Sequence, residues 1–302
     1  MASDLPAGGQ RAGQPAATSS IVNAMSVDIE EYFQVGAFET CISRDHWDSL
    51  SSRVDYNTQV VLDLFAEKNV KATFFTLGWV ADRQPSLLRR IVGEGHELAS
   101  HGYAHDRVFT FSPDQFRADL DRSKKALEDA GGVAIHGYRA PSFSIGKNNA
   151  WALDVLAEQG YRYSSSVAPI AHDHYGWPEA PRFAYRPIAG QPLIELPITT
   201  VKMAGRTLSF GGGFFRLLPY DIARRAIAKV NNSEGQPVVF YFHPWEVDPD
   251  QPRVANAPLK SRLRHYVNLG RMRAKLARLC DDFAWDRIDN TLKVTSDVCV
   301  TA

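Results

Sequence analysis

Apolar runs and amphipathic stretches alternate along most of the chain. A first apolar segment through Ile21, Val22, Ala24, Met25 and Val27 reads as a buried strand. Val54 to Lys68 then places Val54, Val61, Leu64 and Phe65 on one helical face, and "ATFFTL" (Ala72 to Leu77) is a short, β-rich apolar run. Pro85 to Gly93 predicts a helix with Leu88, Ile91 and Val92 inward, stopped by Gly95, and "HELAS" (His96 to Ser100) predicts a strand. Ser112 and Pro113 suit the start of a helix carrying Phe116, Leu120 and Leu127, which Gly131 and Gly132 would end. Next come strand Ile135 to Tyr138, helix Ala150 to Gln159 and strand Tyr161 to Val167. After a loop rich in His, Pro and aromatic residues, the pattern gives a strand in "LIELPITTV", helix Tyr220 to Val230 and strand Pro237 to Phe242. A long basic helix is expected over Leu259 to Leu279, with Leu263, Val267 and Leu276 packing inward.

Repeated βα units mean parallel strands joined by right-handed crossovers. About seven such units in one chain favour a complete or distorted (β/α)7-8 barrel over an open sheet. The expected organisation is one α/β domain over residues 21–302, with a helical extension from about residue 255. Residues 1–20, rich in Ala, Gly, Ser and Pro and without an apolar core, read as a disordered tail and not as a secretory signal.

Charge and cysteine usage narrow the partners. Lys+Arg and Asp+Glu both number 34, so no basic excess points to nucleic acid. No apolar run reaches the roughly 18 residues of a membrane span. Cys41, Cys280 and Cys299 are scattered and odd in number, which reads as free thiols in the cytoplasm.

The candidate chemistry sits at strand ends. "SVDIEEYFQV" leaves the first strand with Asp28, Glu30 and Glu31, three carboxylates in four positions that would repel unless a cation lay among them. Side chains alternate along an extended chain, so Asp28 and Glu30 point one way and Glu31 the other. His101 and His105 in "SHGYAH", Arg139 after "HGY" and His243 after "VVFYF" all follow predicted strands, where βα-barrels gather their active sites. Two histidines and a carboxylate suit a catalytic zinc site, and also non-haem iron. Gly102 stands where a zinc protease helix carries its Glu, so the base must come from elsewhere, and Asp28 is the candidate.

These stretches resemble the polysaccharide deacetylases of the NodB-homology type, carbohydrate esterases acting on N-acetylated sugars. "SVDIEE", "SHGYAH", "RAPSF" and "FHPWE" match four of that family's motifs in order over about Ser26 to Pro249. The likeness extends to a branch associated with bacterial exopolysaccharide and exosortase gene clusters. It implies a distorted NodB-type barrel, a glycan substrate and one divalent metal ion, zinc, held by Glu30, His101 and His105. It further implies Asp28 as general base, His243 as the acid for the leaving amine, and Arg139 holding Asp28. The backbone near Pro141 and Ser142 would face the oxyanion, and Phe143 and Trp245 could wall a sugar, as could Trp177. One position departs from the pattern: Ser164 stands where the family carries an Asp behind the catalytic histidine, leaving Asp173 or Asp248 as candidates for that support. Two other readings remain at this stage: a same-fold hydrolase of a small cyclic ureide or imide, and an impaired glycan-binding protein. His172 and His174 read as a substrate loop or surface, and "FGGGFFRLLP" as a turn near the site.

Overall fold

The structure, a computed structural model, describes residues 21–295 except 172–175, 204 and 210. The strands are β1 (Val22–Ile29), β2 (Thr73–Thr76), β3 (Glu97–Ser100), β4 (Gly137–Tyr138), β5 (Tyr163–Ser164), β6 (Ile194–Glu195), β7 (Thr200–Met203), β8 (Arg206–Ser209), β9 (Val239–Phe242) and β10 (Ala284–Asp286). The helices are α1 (Val54–Lys68), α2 (Gly78–Arg83), α3 (Pro85–Gly93), α4 (Pro113–Gly131), α5 (Trp151–Glu158), α6 (Gly212–Leu217), α7 (Tyr220–Glu234), α8 (Leu259–Tyr266), α9 (Leu269–Asp282) and α10 (Ile288–Thr295).

Seven parallel strands curl in the order β9-β1-β2-β3-β4-β5-β6, with β10 beside the first half of β1. The gap between β6 and β9 is bridged at Thr199, whose N–H donates to the Val239 carbonyl (3.4 Å) and whose Oγ1 accepts from the Val239 N–H (2.8 Å). The result is the curled, distorted α/β barrel that the βα alternation predicts. Local signals explain the element ends. α4 opens with a Ser112–Gln115 capping box and Pro113 in its first turn, and closes on Gly132 at φ 68°.

Strand alternation sorts side chains into two layers. Met25, Val27 and Ile29 of β1, Phe74 of β2, and Phe240 and Phe242 of β9 face outward into the main core beneath the helices. Ala24, Phe75, Ala99, Tyr163 and Val239 face inward, where Ile288 and Leu292 of α10 join them. Gly137 is required by this interior: a Cβ there would lie 2.1 Å from the Tyr163 ring, which crosses the barrel to donate its hydroxyl to Glu97 (2.8 Å).

Two expectations are corrected. "LIELPITTV" is not one strand: β6 ends at Glu195, and Thr200 begins β7, which pairs antiparallel with β8 in a separate hairpin. The long basic helix is two, broken where Asn268 adopts φ 55°. Leu263 points outward at 63% exposure, while Leu276 is buried as expected.

Candidate active site

The inward row of β1 continues past its last hydrogen bond. Ala24, Ser26, Asp28 and Glu30 share the barrel-facing side, and the last three are buried. Glu31 turns the other way. Its carboxylate accepts from the Ser52 hydroxyl and from the Arg53 N–H (3.0 and 3.1 Å), closing the N-terminus of α1.

Arg139, fully buried after β4, crosses the interior to reach Asp28. Its Nη1 donates to Asp28 Oδ1 and Ser26 Oγ (2.7 and 2.8 Å), its Nη2 to Ser165 Oγ (2.9 Å) and its Nε to the Ser165 carbonyl (3.1 Å). A guanidinium held at this many points fixes the carboxylate in position.

Glu30, His101 and His105 meet at the barrel mouth, each with a ligand atom within 4.8 Å of the others. The chain doubles back between the histidines through Gly102 (φ 75°) and His105 (φ 58°), which sets their rings 5.5 Å apart. His101 Nδ1 lies 2.8 Å from the Arg139 carbonyl. A carbonyl only accepts, so Nδ1 carries the hydrogen and Nε2 keeps its lone pair for a metal. Burial, with the neighbouring His105, lowers the His101 pKa to about 4, which keeps the ring neutral as a ligand must be. Burial alone would push the Glu30 carboxyl up, but His105, His243 and His101 outweigh it and hold it far below the carboxylate range. Glu30 Oε2 is buried and lies 2.8 Å from His105 Nε2, so the two potential ligand atoms face each other directly. Two imidazoles and a carboxylate converging within 4.8 Å of one another are a donor set that fits a divalent cation.

His243, at the end of β9, presents Nε2 to the same cluster, 3.6 Å from Glu30 Oε1 and 3.9 Å from Asp28 Oδ2. Its Nδ1 lies 2.8 Å from Glu246 Oε1. Burial alone would lower its pKa, yet Glu30, Glu246 and Asp28 together raise it to about 9. The support sought behind this ring is therefore Glu246. Asp248 is taken by Arg53 (2.8 and 3.0 Å), Ser164 donates to Ser166 Oγ (2.7 Å), and Asp173 lies outside the described residues with His172 and His174. The spacing in "HPWE" carried the signal, since one helical turn brings residue i+3 back over residue i. Glu246 is itself clamped by Arg216 Nε, and Arg216 spends its other donors on the carbonyls of Arg264, His265 and Val267 (3.2, 2.7 and 2.9 Å). The "GGG" run that opens α6 lets Arg216 approach: a Cβ at Gly211 would strike the Tyr241 ring at 2.5 Å, and one at Gly212 would touch Glu246 Oε1 at 3.5 Å.

Trp245 is a correction. The ring is 7% exposed, with His243 (5.1 Å) and His265 (4.1 Å) stacked on it, and its Nε1 donates to Glu30 Oε1 (3.1 Å). So deeply buried a ring offers a sugar little surface, and its hydrogen bond positions Glu30 instead. Ser142 and Phe143 both take left-handed backbone angles (φ 55° and 50°), an unusual pair that aims this loop. Phe143 sits edge-on to Tyr241 (4.8 Å) and borders a hollow of about 270 Å³ shared with Phe109, Lys147 and Trp177. Pro141 has no N–H, so Ser142 is the backbone donor of that pair.

Residues 47–164 match the family model described as polysaccharide deacetylase, and residues 165–293 match a domain of unknown function, DUF3473. The chain is 32% identical over 130 residues to a chitooligosaccharide deacetylase of Bradyrhizobium (43% of this chain, 53% of that protein). It is 34% identical over 98 residues to a peptidoglycan-N-acetylglucosamine deacetylase of Bacillus cereus (32% of this chain, 36% of that protein). The chain thus spans about half or less of the curated relatives it matches. Among solved structures, a Mycobacterium smegmatis protein assigned as a polysaccharide deacetylase superposes with TM-score 0.60 at 21% identity, over 95% of this chain and 94% of that one. The Puue allantoinase superposes with TM-score 0.60 at 14% identity, over 99% of this chain and all of the other. Both likenesses concern the fold.

Proposed function

We propose that this chain, which carries a polysaccharide deacetylase domain over residues 47–164, hydrolyses N-acetyl groups from N-acetylhexosamine units of a bacterial polysaccharide or its precursor. One observation carries the reading. Asp28, held by Arg139, and His243, held by Glu246, border the Glu30, His101 and His105 cluster at the barrel mouth. An amide needs a polarised carbonyl, a base for the attacking water and an acid for the departing amine.

Glu30, His101 and His105 would hold one divalent cation, zinc by the chemistry of two imidazoles and one carboxylate. When bound, that ion supplies a Lewis acid that polarises the carbonyl and acidifies water. Asp28, with Oδ1 fixed by Arg139, takes the proton from water through Oδ2, the oxygen that faces His243. His243 carries a proton near neutral pH because Glu30, Glu246 and Asp28 surround it, and it gives that proton to the amine through Nε2. Phe143 and the Ser142 N–H line the approach. The free thiols of Cys41 and Cys280 support a reducing compartment, the cytoplasm.

The relatives' names favour a glycan over a small cyclic amide, and the retained base, acid and ligand set favours turnover over binding alone. The test is acetate release from N-acetylglucosamine oligosaccharides by the zinc-loaded protein. Ring opening of a cyclic ureide without acetate release from any glycan would sink the reading.

A further inference from the structure

We propose that α8 is an interfacial helix that docks this protein on an anionic membrane surface. Leu259 and Leu263 would enter the bilayer interface, while Lys260, Arg262 and Arg264 would meet headgroup phosphates.

The helix has one committed face. His265 is buried, stacks on Trp245 at 4.1 Å and lies 2.6 Å through Nε2 from Gln251 Oε1, and Arg216 holds the carbonyls of Arg264 and His265. The opposite face is apolar and open to solvent. Leu259 and Leu263, one turn apart on that face, are 69% and 63% exposed and make one continuous apolar strip. At 100° per residue, Lys260 and Arg264 fall on one flank of this leucine pair and Arg262 on the other, and all three are exposed.

Charge completes the pattern. In a chain with 34 cations and 34 anions, residues 259–278 contain seven Lys or Arg (260, 262, 264, 271, 273, 275, 278) and no Asp or Glu. Among the described residues, the ion pairs of this stretch are Arg273–Glu67 and Arg278–Asp221, both at 3.7 Å, and neither involves α8. Past the Asn268 corner, Leu217 is 57% exposed and borders a hollow of about 480 Å³ beside Arg271. Nucleic acid or an acidic glycan would use the cations and leave the leucines in water. An anionic leaflet uses both, with apolar side chains below the headgroups and basic ones level with them. Two leucines give reversible attachment and not an anchor. Among the described residues no helix is long and apolar enough to cross a membrane.

The experiment is co-sedimentation of the full chain with phosphatidylcholine vesicles, plain or doped with phosphatidylglycerol. The wild type should bind the doped vesicles at low ionic strength, release them at high salt, and ignore plain ones. The double variant Leu259→Ser/Leu263→Ser should bind about tenfold more weakly or worse, since the apolar insertion is gone. Its melting temperature and acetate release should match the wild type, because both positions are exposed. Lys260→Glu/Arg262→Glu/Arg264→Glu should abolish binding. No excess binding to doped vesicles would overturn the proposal. So would full binding by the leucine variant, or capture by soluble heparin with the same charge dependence and no effect of the leucines, which would assign a polyanion instead.

Discussion

Each carboxylate leaving β1 meets a different environment, and that divides their work. Asp28 is gripped by Arg139 at one oxygen, Glu30 is aimed by Trp245 and His105, and Glu31 caps α1. Asp28→Asn should abolish acetate release while metal content, read by atomic emission, stays at the wild-type level. Metal lost in parallel would make Asp28 a ligand. His101→Ala and His105→Ala should each lower bound zinc sharply. Glu246→Gln removes the anion behind His243 and so lowers the pKa of the acid. Because the acid must be protonated, the basic limb of the pH–rate profile should move to lower pH, with kcat down about 10²-fold and metal retained. An unmoved limb would exclude Glu246 from this part.

At the scale of elements, the corner between α8 and α9 is where fold and site exchange support. Arg216 is 2% exposed, and its guanidinium ties three carbonyls of that corner to Glu246. Arg216→Met would leave a buried carboxylate and these carbonyls unpaired. It should cost about 3–5 kcal/mol in urea unfolding as well as activity. A second element-level expectation concerns His96, where β3 begins. The ring is packed between Phe65 and Phe74 and accepts the Ala72 N–H (3.1 Å). Burial, then Lys71 and Arg287, lowers its pKa from 6.5 to about 4. The unfolded chain therefore binds a proton that the folded one refuses between those values. This contribution is complete above pH 6.5 and is lost as pH falls toward 4, on the order of 3 kcal/mol. His96→Gln should flatten that limb of the stability–pH curve.

Across the whole molecule, one interior position tests the barrel. Gly137→Ala places a methyl 2.1 Å from the Tyr163 ring, so β4 and β5 cannot keep their register and the variant should unfold several kcal/mol sooner. A melting temperature near wild type would mean the interior is looser than described. Much of this architecture was legible in the chain. Periodicities of 2 and 3.6 mark most strands and helices from β1 to β9, because burial on one face forces them locally. The same alternation along β1 puts Asp28 and Glu30 on one side, and strand ends locate His101, His105, Arg139 and His243. Long-range pairing was not legible. Nothing local in "LIELPITTV" says that its second half leaves the barrel for a hairpin. Nothing in the basic stretch says that Asn268 breaks it so that Arg216 can hold its carbonyls, or that Leu263 faces out. Trp245 reads as a sugar wall until the tertiary structure buries its ring beneath His243 and His265. Sequence set residue types and local periods, which depend on neighbours a few positions away. Only the fold decided which distant groups share the remaining hydrogen bonds, and so which carboxylate, Glu246 and not Asp248, stands behind His243.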